Sequence, residues 1–178
     1  EAMAEQIKTL LHQARELRDR LWADRHRTRY HLLPSDGFFN DANGTIFWKG
    51  RYHGFYLGRM PLPIPDQPSN VKWLPVLDHS SSHDLVHWIH HPPAIKPVAD
   101  GSTPKGIYSG DAIENAPVPT LIYHVPGQGT CIATSNDDEL NHWAPLPGNP
   151  VIPIPKQPQE YTAFDPFAWY AGSTYHSL

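Results

Sequence analysis

The chain is short of cysteine, of long apolar runs and of clustered positive charge, and each shortage removes a class of function. Its single cysteine, Cys131, allows neither an intrachain disulfide framework nor a zinc–cysteine cluster. With Ile132 and Ala133 beside it, the thiol is expected to be buried and inert. No apolar run reaches the roughly 18 residues needed to span a bilayer, and the chain opens on Glu1 without an apolar leader core. Neither a membrane nor a nucleic acid is therefore expected as a partner, since a net charge of −4 with no basic run offers no polyanion footprint. What the chain has in quantity is turn formers and aromatics. Its 20 prolines and 12 glycines fall in short, spaced clusters among 6 tryptophans and 8 tyrosines, a pattern of many short strands rather than of a helical bundle.

One segment departs from that pattern. Ile7, Leu10, Leu11, Ala14, Leu17, Leu21 and Trp22 recur at helical spacing with charged residues between them, which predicts one amphipathic helix packed on the domain that follows. Residues 1–25 are assigned to this helix and 26–178 to an all-β domain. Within that domain the sequence repeats itself. Asp84-Leu85-Val86-His87-Trp88 returns as Glu139-Leu140-Asn141-His142-Trp143, and Tyr-His occurs at 52–53, 123–124 and 175–176. Such echoes suit a β-propeller, in which about 40 to 50 residues form each four-stranded blade, so the residues after Tyr30 suffice for at most about three blades.

The chemistry is expected around Phe38-Phe39-Asn40-Asp41-Ala42-Asn43-Gly44, where one carboxylate stands among aromatics and amides. Asn43-Gly44 tolerates the positive φ of a two-residue hairpin turn, which would set Asp41 at the mouth of a hairpin. A sugar presents apolar C–H faces and many hydroxyls, so its pocket combines aromatic walls with amide and carboxylate partners. Phe39, Trp73, Asn40, Ser109 and Asp111 fit those roles. Trp73 follows a loop rich in proline (Pro61, Pro63, Pro65, Pro68, with Pro75 after it), and Ser109 and Asp111 equally suit a turn cap.

Five blocks in order resemble the N-terminal half of glycoside hydrolase family 32, the invertases and fructan hydrolases. Phe38 to Gly44 is similar to that family's Trp-Met-Asn-Asp-Pro-Asn-Gly. Asp78-His79-Ser80-Ser81-Ser82-His83-Asp84-Leu85-Val86-His87-Trp88 resembles Gly-His-Ala-Val-Ser-x-Asp-Leu-Val-His-Trp, and Tyr108-Ser109-Gly110-Asp111-Ala112 resembles Phe-Ser-Gly-Ser-Ala. Gly148-Asn149-Pro150-Val151-Ile152 matches a family block, and Thr162-Ala163-Phe164-Asp165-Pro166 falls where the family has Phe-Arg-Asp-Pro. The resemblance implies a five-bladed propeller of which this chain supplies the first two to three blades. It also implies retaining hydrolysis of β-fructofuranosides such as sucrose or fructans, with Asp41 as nucleophile and Asp165 as the residue that binds hydroxyls and stabilises the transition state. The resemblance further implies a general acid, a Glu in a Glu-Cys pair, and no Glu-Cys dipeptide stands in these 178 residues. Glu114 and Glu160 are expected to be solvated loop carboxylates.

The departures are specific. Phe164 stands in place of the family's Arg, Ala42 of the Pro after the nucleophile, Leu57 of a Gln, and Asp111 of a Ser. Losing a forked cation removes several donors, which leaves open a non-catalytic sugar-binding propeller or a glycosidase for arabinosides or xylosides. Nothing calls for a metal or another cofactor. His87, His90 and His91 are expected along one strand with His87 and His91 on the same face, without the spacing of a closed metal site. His79 is expected to make a hydrogen bond beneath the pocket, and Gly127-Gln128-Gly129 to form a hairpin turn.

Overall fold

The computed structural model describes residues 2–28, 30–34, 38–64, 67–97, 106–157 and 161–178. A helix, α1 (Ala2–Ala23), precedes eleven strands: β1 (Ala42–Trp48), β2 (Arg51–Ile64), β3 (Gln67–Ser82), β4 (Trp88–His90), β5 (Tyr108–Ile113), β6 (Thr120–Val125), β7 (Gly129–Thr134), β8 (Ala144–Pro145), β9 (Ile152–Pro153), β10 (Ala168–Ala171) and β11 (Thr174–Ser177). All pairings are antiparallel. The first sheet runs β1-β2-β3-β4 and the second β5-β6-β7-β8, with β9 also on β7, while β10 and β11 pair as a third. This is the sheet succession of a partial β-propeller, and the expected helix and all-β domain are both present.

Burial follows from strand alternation. On β6, Leu121, Tyr123 and Val125 join Phe55, Leu57 and Leu77 of the first sheet in one apolar cluster with Ile107, Cys131 and Ala133. The residue between them, Ile122, turns the other way and packs with Ile113 and Ala168 toward the third sheet. A strand buried on both faces has no polar face to offer, which is why Leu121-Ile122-Tyr123 reads as a continuous run. Each such side chain withdrawn from water contributes about 2 kcal/mol. Cys131 is buried as expected, and burial pushes its thiol up to about 11.

The sequence repeats land on equivalent places. Tyr52-His53, Tyr123-His124 and Tyr175-His176 lie on β2, β6 and β11, the second strand of each sheet. Leu85 and Leu140 both adopt positive φ, 62° and 55°. Both Trp88 and Trp143 donate Nε1–H to those leucine carbonyls, at 3.2 and 2.8 Å. The acid of the repeat is displaced, however. Asp84 accepts from the Val86 and His87 amides and from His87 Nδ1, but in the second loop Asp137, not Glu139, takes that part with the Asn141 and His142 amides and His142 Nδ1.

Three local expectations are corrected. Asn43-Gly44 is not a hairpin turn: it lies inside β1, where Ala42 pairs with Tyr56 and Thr45 with Gly54, so one extra residue forms a bulge. The hairpin turns instead at Lys49-Gly50, both at positive φ (48° and 80°), as a two-residue turn of that class requires. Apart from Pro65, which lies outside the described residues, the proline-rich stretch is strand rather than loop. β2 and β3 continue as a two-stranded arm past the ends of β1 and β4, and Pro61 pairs with Trp73. Free outer edges tolerate residues without an amide donor. Finally, residues 83–87 form a loop, so His87 is off the strand and only Trp88–His90 pair with β3. Gly127-Gln128-Gly129 does form the β6–β7 turn, with Gln128 N donating to Val125 O at 2.9 Å.

The helix covers the β2–β3 face opposite the second sheet. Arg18 lies 3.8 Å from the buried Asp78 carboxylate, and Trp22 meets His90 edge-on at 5.3 Å. Gly58 makes room for Asp78, because a Cβ at Gly58 would stand 1.9 Å from Asp78 Oδ2.

Candidate active site

Two bulges face each other where the first and second sheets meet. One is the Asn43-Gly44 bulge in β1. The other is in β5, where Tyr108 pairs with His124 and Gly110 with Tyr123, leaving Ser109 as the extra residue. A bulge re-aims the side chain it carries. Ser109 Oγ donates to Asp41 Oδ2 at 2.7 Å, and the Asp41 carboxylate remains exposed. The Asp41 backbone is fixed from behind, with Leu57 N donating to its carbonyl and Asn40 N to Leu57 O, each at 3.0 Å.

Asn43 ties the two bulges together. Only 1% exposed, it donates Nδ2–H to the Asp41 carbonyl at 2.6 Å and accepts the Gly110 amide on Oδ1 at 2.7 Å. The close approach needs glycine on both sides. A Cβ on Gly44 (φ 85°) would lie 2.5 Å from Ala112 N, and one on Gly110 would lie 1.9 Å from Ile122 O. Sequence reasoning assigns Asn43 only to a turn, so its clamp is missed. The nearest signal was the amide-rich block itself, matched by a Ser-Gly pair on another strand.

The remaining predicted residues distribute around this junction. Phe39 is exposed and stacks on Tyr56 with centroids 4.8 Å apart. Asn40 precedes β1 with its side chain exposed. Asp111 lies behind the mouth, where three sheets meet: Oδ1 accepts the Ala112 amide at 2.8 Å and faces Gly44, while Oδ2 accepts the Ala168 amide of β10 at 3.4 Å. Burial raises its pKa against those two hydrogen bonds. Asp165 is exposed at the entry to the third sheet with φ 43°. Trp73 is exposed on the two-stranded arm, and no contact joins it to Asp41 among those described. Glu114 is exposed beyond the far end of β5, about 16 Å of extended chain from Ser109. That far end holds a cavity of about 370 Å³, lined by Trp48, Ile113 and Asn115 among others. Glu160 lies outside the described residues.

The Gly148-Asn149-Pro150 block is structural. Asn149 donates Nδ2–H to Ile132 O and accepts Ile132 N on Oδ1, at 2.8 and 2.9 Å, completing the edge of β7 as a strand residue would.

Histidines gather away from this mouth, on the first sheet. His53 Nδ1 and His79 Nε2 are 2.9 Å apart, and the His79 and His91 rings stack at 4.3 Å. Ser81 and Ser80 bond His91 and His90 at 2.6 and 2.9 Å. Burial, then repulsion from His91, lowers His53 to about 4. His79 falls well below the usual imidazole range for the same reasons. His79 thus makes the hydrogen bond expected of it, but inside a histidine stack. Among the described residues no group of three or more His, Cys, Asp or Glu is arranged to hold a metal ion.

Comparison with known proteins identifies the family. The family described as glycosyl hydrolases family 32 N-terminal domain matches residues 31–178. Sucrose-6-phosphate hydrolase of Salmonella typhimurium is 33% identical over 94% of this chain and 35% of its own length. The structure of sucrose-6-phosphate hydrolase from Lactobacillus gasseri superimposes with a TM-score of 0.67 at 26% identity, over 94% of this chain and 34% of that one. Fructan 1-exohydrolase IIa from Cichorium intybus in complex with 1-kestose superimposes with a TM-score of 0.58 at 32% identity, over 73% and 24%. The chain therefore spans about a third of the length of such relatives. With that match covering residues 31–178, the chain belongs to glycosyl hydrolases family 32, in the part described as its N-terminal domain.

Proposed function

We propose that the protein carrying this chain hydrolyses β-fructofuranosides with retention. The observation that carries this reading is the Asp41 carboxylate, exposed at the blade junction and held in one orientation by Ser109 while its backbone is clamped by Leu57 and Asn43. A nucleophile needs that combination of access and fixed direction. Asp41 attacks the anomeric carbon, the glycosidic C–O bond breaks, and the leaving oxygen takes a proton from an acid supplied outside these 178 residues. Water then cleaves the glycosyl–enzyme ester, returning the Asp41 carboxylate.

Asp165 stabilises the oxocarbenium-like transition state. Phe39 and Asn40 line the sugar site beside Asp41, and Ser109 contacts both the nucleophile and the sugar. Trp73 and Asp111 take outer parts: Trp73 from the arm, Asp111 by holding β1, β5 and β10 in register beneath the sugar. Carbohydrate is the substrate class, as in the 1-kestose complex of the chicory relative.

A second reading is favoured by Phe164 beside Asp165, where a forked donor is missing: a glycosidase for arabinosides or xylosides, or a sugar-binding propeller without turnover. Sugar release from sucrose, inulin, levan, arabinan and xylan, with Asp41→Asn as control, separates these. Release from the fructosides that Asp41→Asn abolishes supports hydrolysis of fructofuranosides. Release only from arabinan or xylan moves the substrate, and binding without release removes the catalytic reading.

A further inference from the structure

Phe164 is unusual in position and in surroundings. It immediately precedes Asp165, is 53% exposed, and is nonetheless held by two other rings. Its centroid lies 5.2 Å from His124 and 6.3 Å from Tyr108, tilted 59° and 75° to them, and Tyr108 and His124 meet edge-on at 6.3 Å. The three rings form a closed triangle in which each supports the other two. Their origins connect them to the nucleophile. Tyr108 adjoins the bulged Ser109 that bonds Asp41, His124 pairs with Tyr108 across β5–β6, and Phe164 adjoins Asp165.

The supporting rings are buried to different degrees from the platform. His124 is 4% exposed and Tyr108 half-buried, so Phe164 alone shows a broad ring face to solvent. An aromatic ring flanked by two others, edge-on by Tyr108 and tilted by His124, keeps its face in one plane without a rotamer search on binding. An exposed apolar ring next in the chain to the exposed Asp165 carboxylate, and linked through Tyr108 and Ser109 to Asp41, suits a ligand with one apolar face and a hydroxyl-bearing rim, which is a sugar.

We infer that Phe164 is a specificity-determining residue: a stacking platform, braced by Tyr108 and His124, for the apolar face of the sugar ring bound between Asp41 and Asp165. The inference rests on the fructofuranosidase reading for the placement of the sugar, and goes beyond it in how the sugar is recognised. A guanidinium fork at this place would read hydroxyl positions, and hydrogen-bonding sites discriminate steeply against ligands lacking the matching group. A ring face reads shape and apolar area, so discrimination between furanosides that present a similar apolar face is shallow.

The test uses binding, so that it does not depend on turnover. Sucrose, 1-kestose and 4-nitrophenyl α-L-arabinofuranoside are titrated calorimetrically into the protein carrying this chain, made catalytically silent by Asp41→Asn, with Phe164 kept or changed to Tyr or Leu. Phe164→Tyr is expected to keep Kd within about twofold. Phe164→Leu, which preserves apolar bulk but removes the flat ring, is expected to weaken binding about 3- to 10-fold with an unchanged melting midpoint. Equal binding by the Phe and Leu forms, a loss in the Tyr form as large as in the Leu form, or no binding of any of the three probes by the Asp41→Asn parent overturns the platform. The catalytic reading fails separately: the protein with Asp41 intact then binds sugar in a Phe164-dependent manner and releases no product.

Discussion

The first and second sheets are joined by two polar clusters of opposite character. At the mouth, Asp41, Ser109 and Asn43 form short hydrogen bonds around an exposed carboxylate, and glycines bring the two backbones together. Toward the outer strands, His53, His79 and His91 stack between the sheets, and burial outweighs the nearby Asp137 and Glu139 carboxylates and holds the imidazoles neutral. The same interface thus contains an exposed carboxylate end and a buried, neutral imidazole end. A charge at the first end is compensated by hydrogen bonds and solvent. A charge at the second end would meet other imidazoles and Arg51, which bonds Ser81.

That contrast can be broken in graded steps. The largest effect belongs to the charged end and is functional: Asp41→Asn should lower turnover by a factor of about 10³ or more while leaving the melting midpoint nearly unchanged. Retained turnover on sucrose would show that the exposed carboxylate is not the nucleophile. Next comes the backbone approach beneath it. Gly110→Ala forces a methyl into Ile122 O, and we expect about 3 kcal/mol of destabilisation, read as a shift in denaturant midpoint. Asn43→Ala should follow at about 2 kcal/mol, since the buried Gly110 amide loses its acceptor. A loss in activity without any loss in stability would instead make Asn43 a part of the sugar site alone.

The smallest effect within any one pH unit belongs to the neutral end, and it has a definite sign. His53 titrates near 4 in the fold against about 6.5 unfolded, so the unfolded chain binds the proton first as pH falls. Stability is full above about pH 6.5, declines through the window from 6.5 to about 4, and levels off below, at no more than about 1.4 kcal/mol per pH unit for each histidine. His79 and His91 move in the same direction. Asp137, Glu139 and Asn141, which face His91 from the loop of the second sheet, oppose its shift, whereas Arg51 adds to it. His90 behaves alike on the helix side, where Arg27 and Arg18 add to burial. Urea midpoints at pH 7.5, 5.5 and 4.5 should fall in order, and His53→Gln should flatten the slope. An unchanged slope in that variant would place the acid sensitivity elsewhere.

Much of this was legible in the residues. Helical spacing located α1, and aromatic and β-branched runs between turn formers located the strands. The repeated Tyr-His pairs marked repeated sheets, and each pair falls on the second strand of its sheet. Asp41 and Ser109 were singled out in separate blocks, 68 residues apart, and prove to be hydrogen-bonded. Local rules failed where two strands from different sheets approach. Asn-Gly alone favours a turn, but the extra residue is more stable as a bulge once β5 supplies an amide for Asn43 Oδ1.

The sequence by itself determined the fold class, the family and the carboxylate around which chemistry is expected, because those depend on periodicity, turn formers and short blocks of neighbouring residues. Only the tertiary structure decided that Asn43 is a clamp, that Asp137 replaces Glu139 in the second loop, that three histidines stack, and that Phe164 stands braced beside Asp165. Each of these depends on a long-range contact between strands, and no spacing along the chain encodes which atoms the packing of one sheet on the next will bring within a few ångströms.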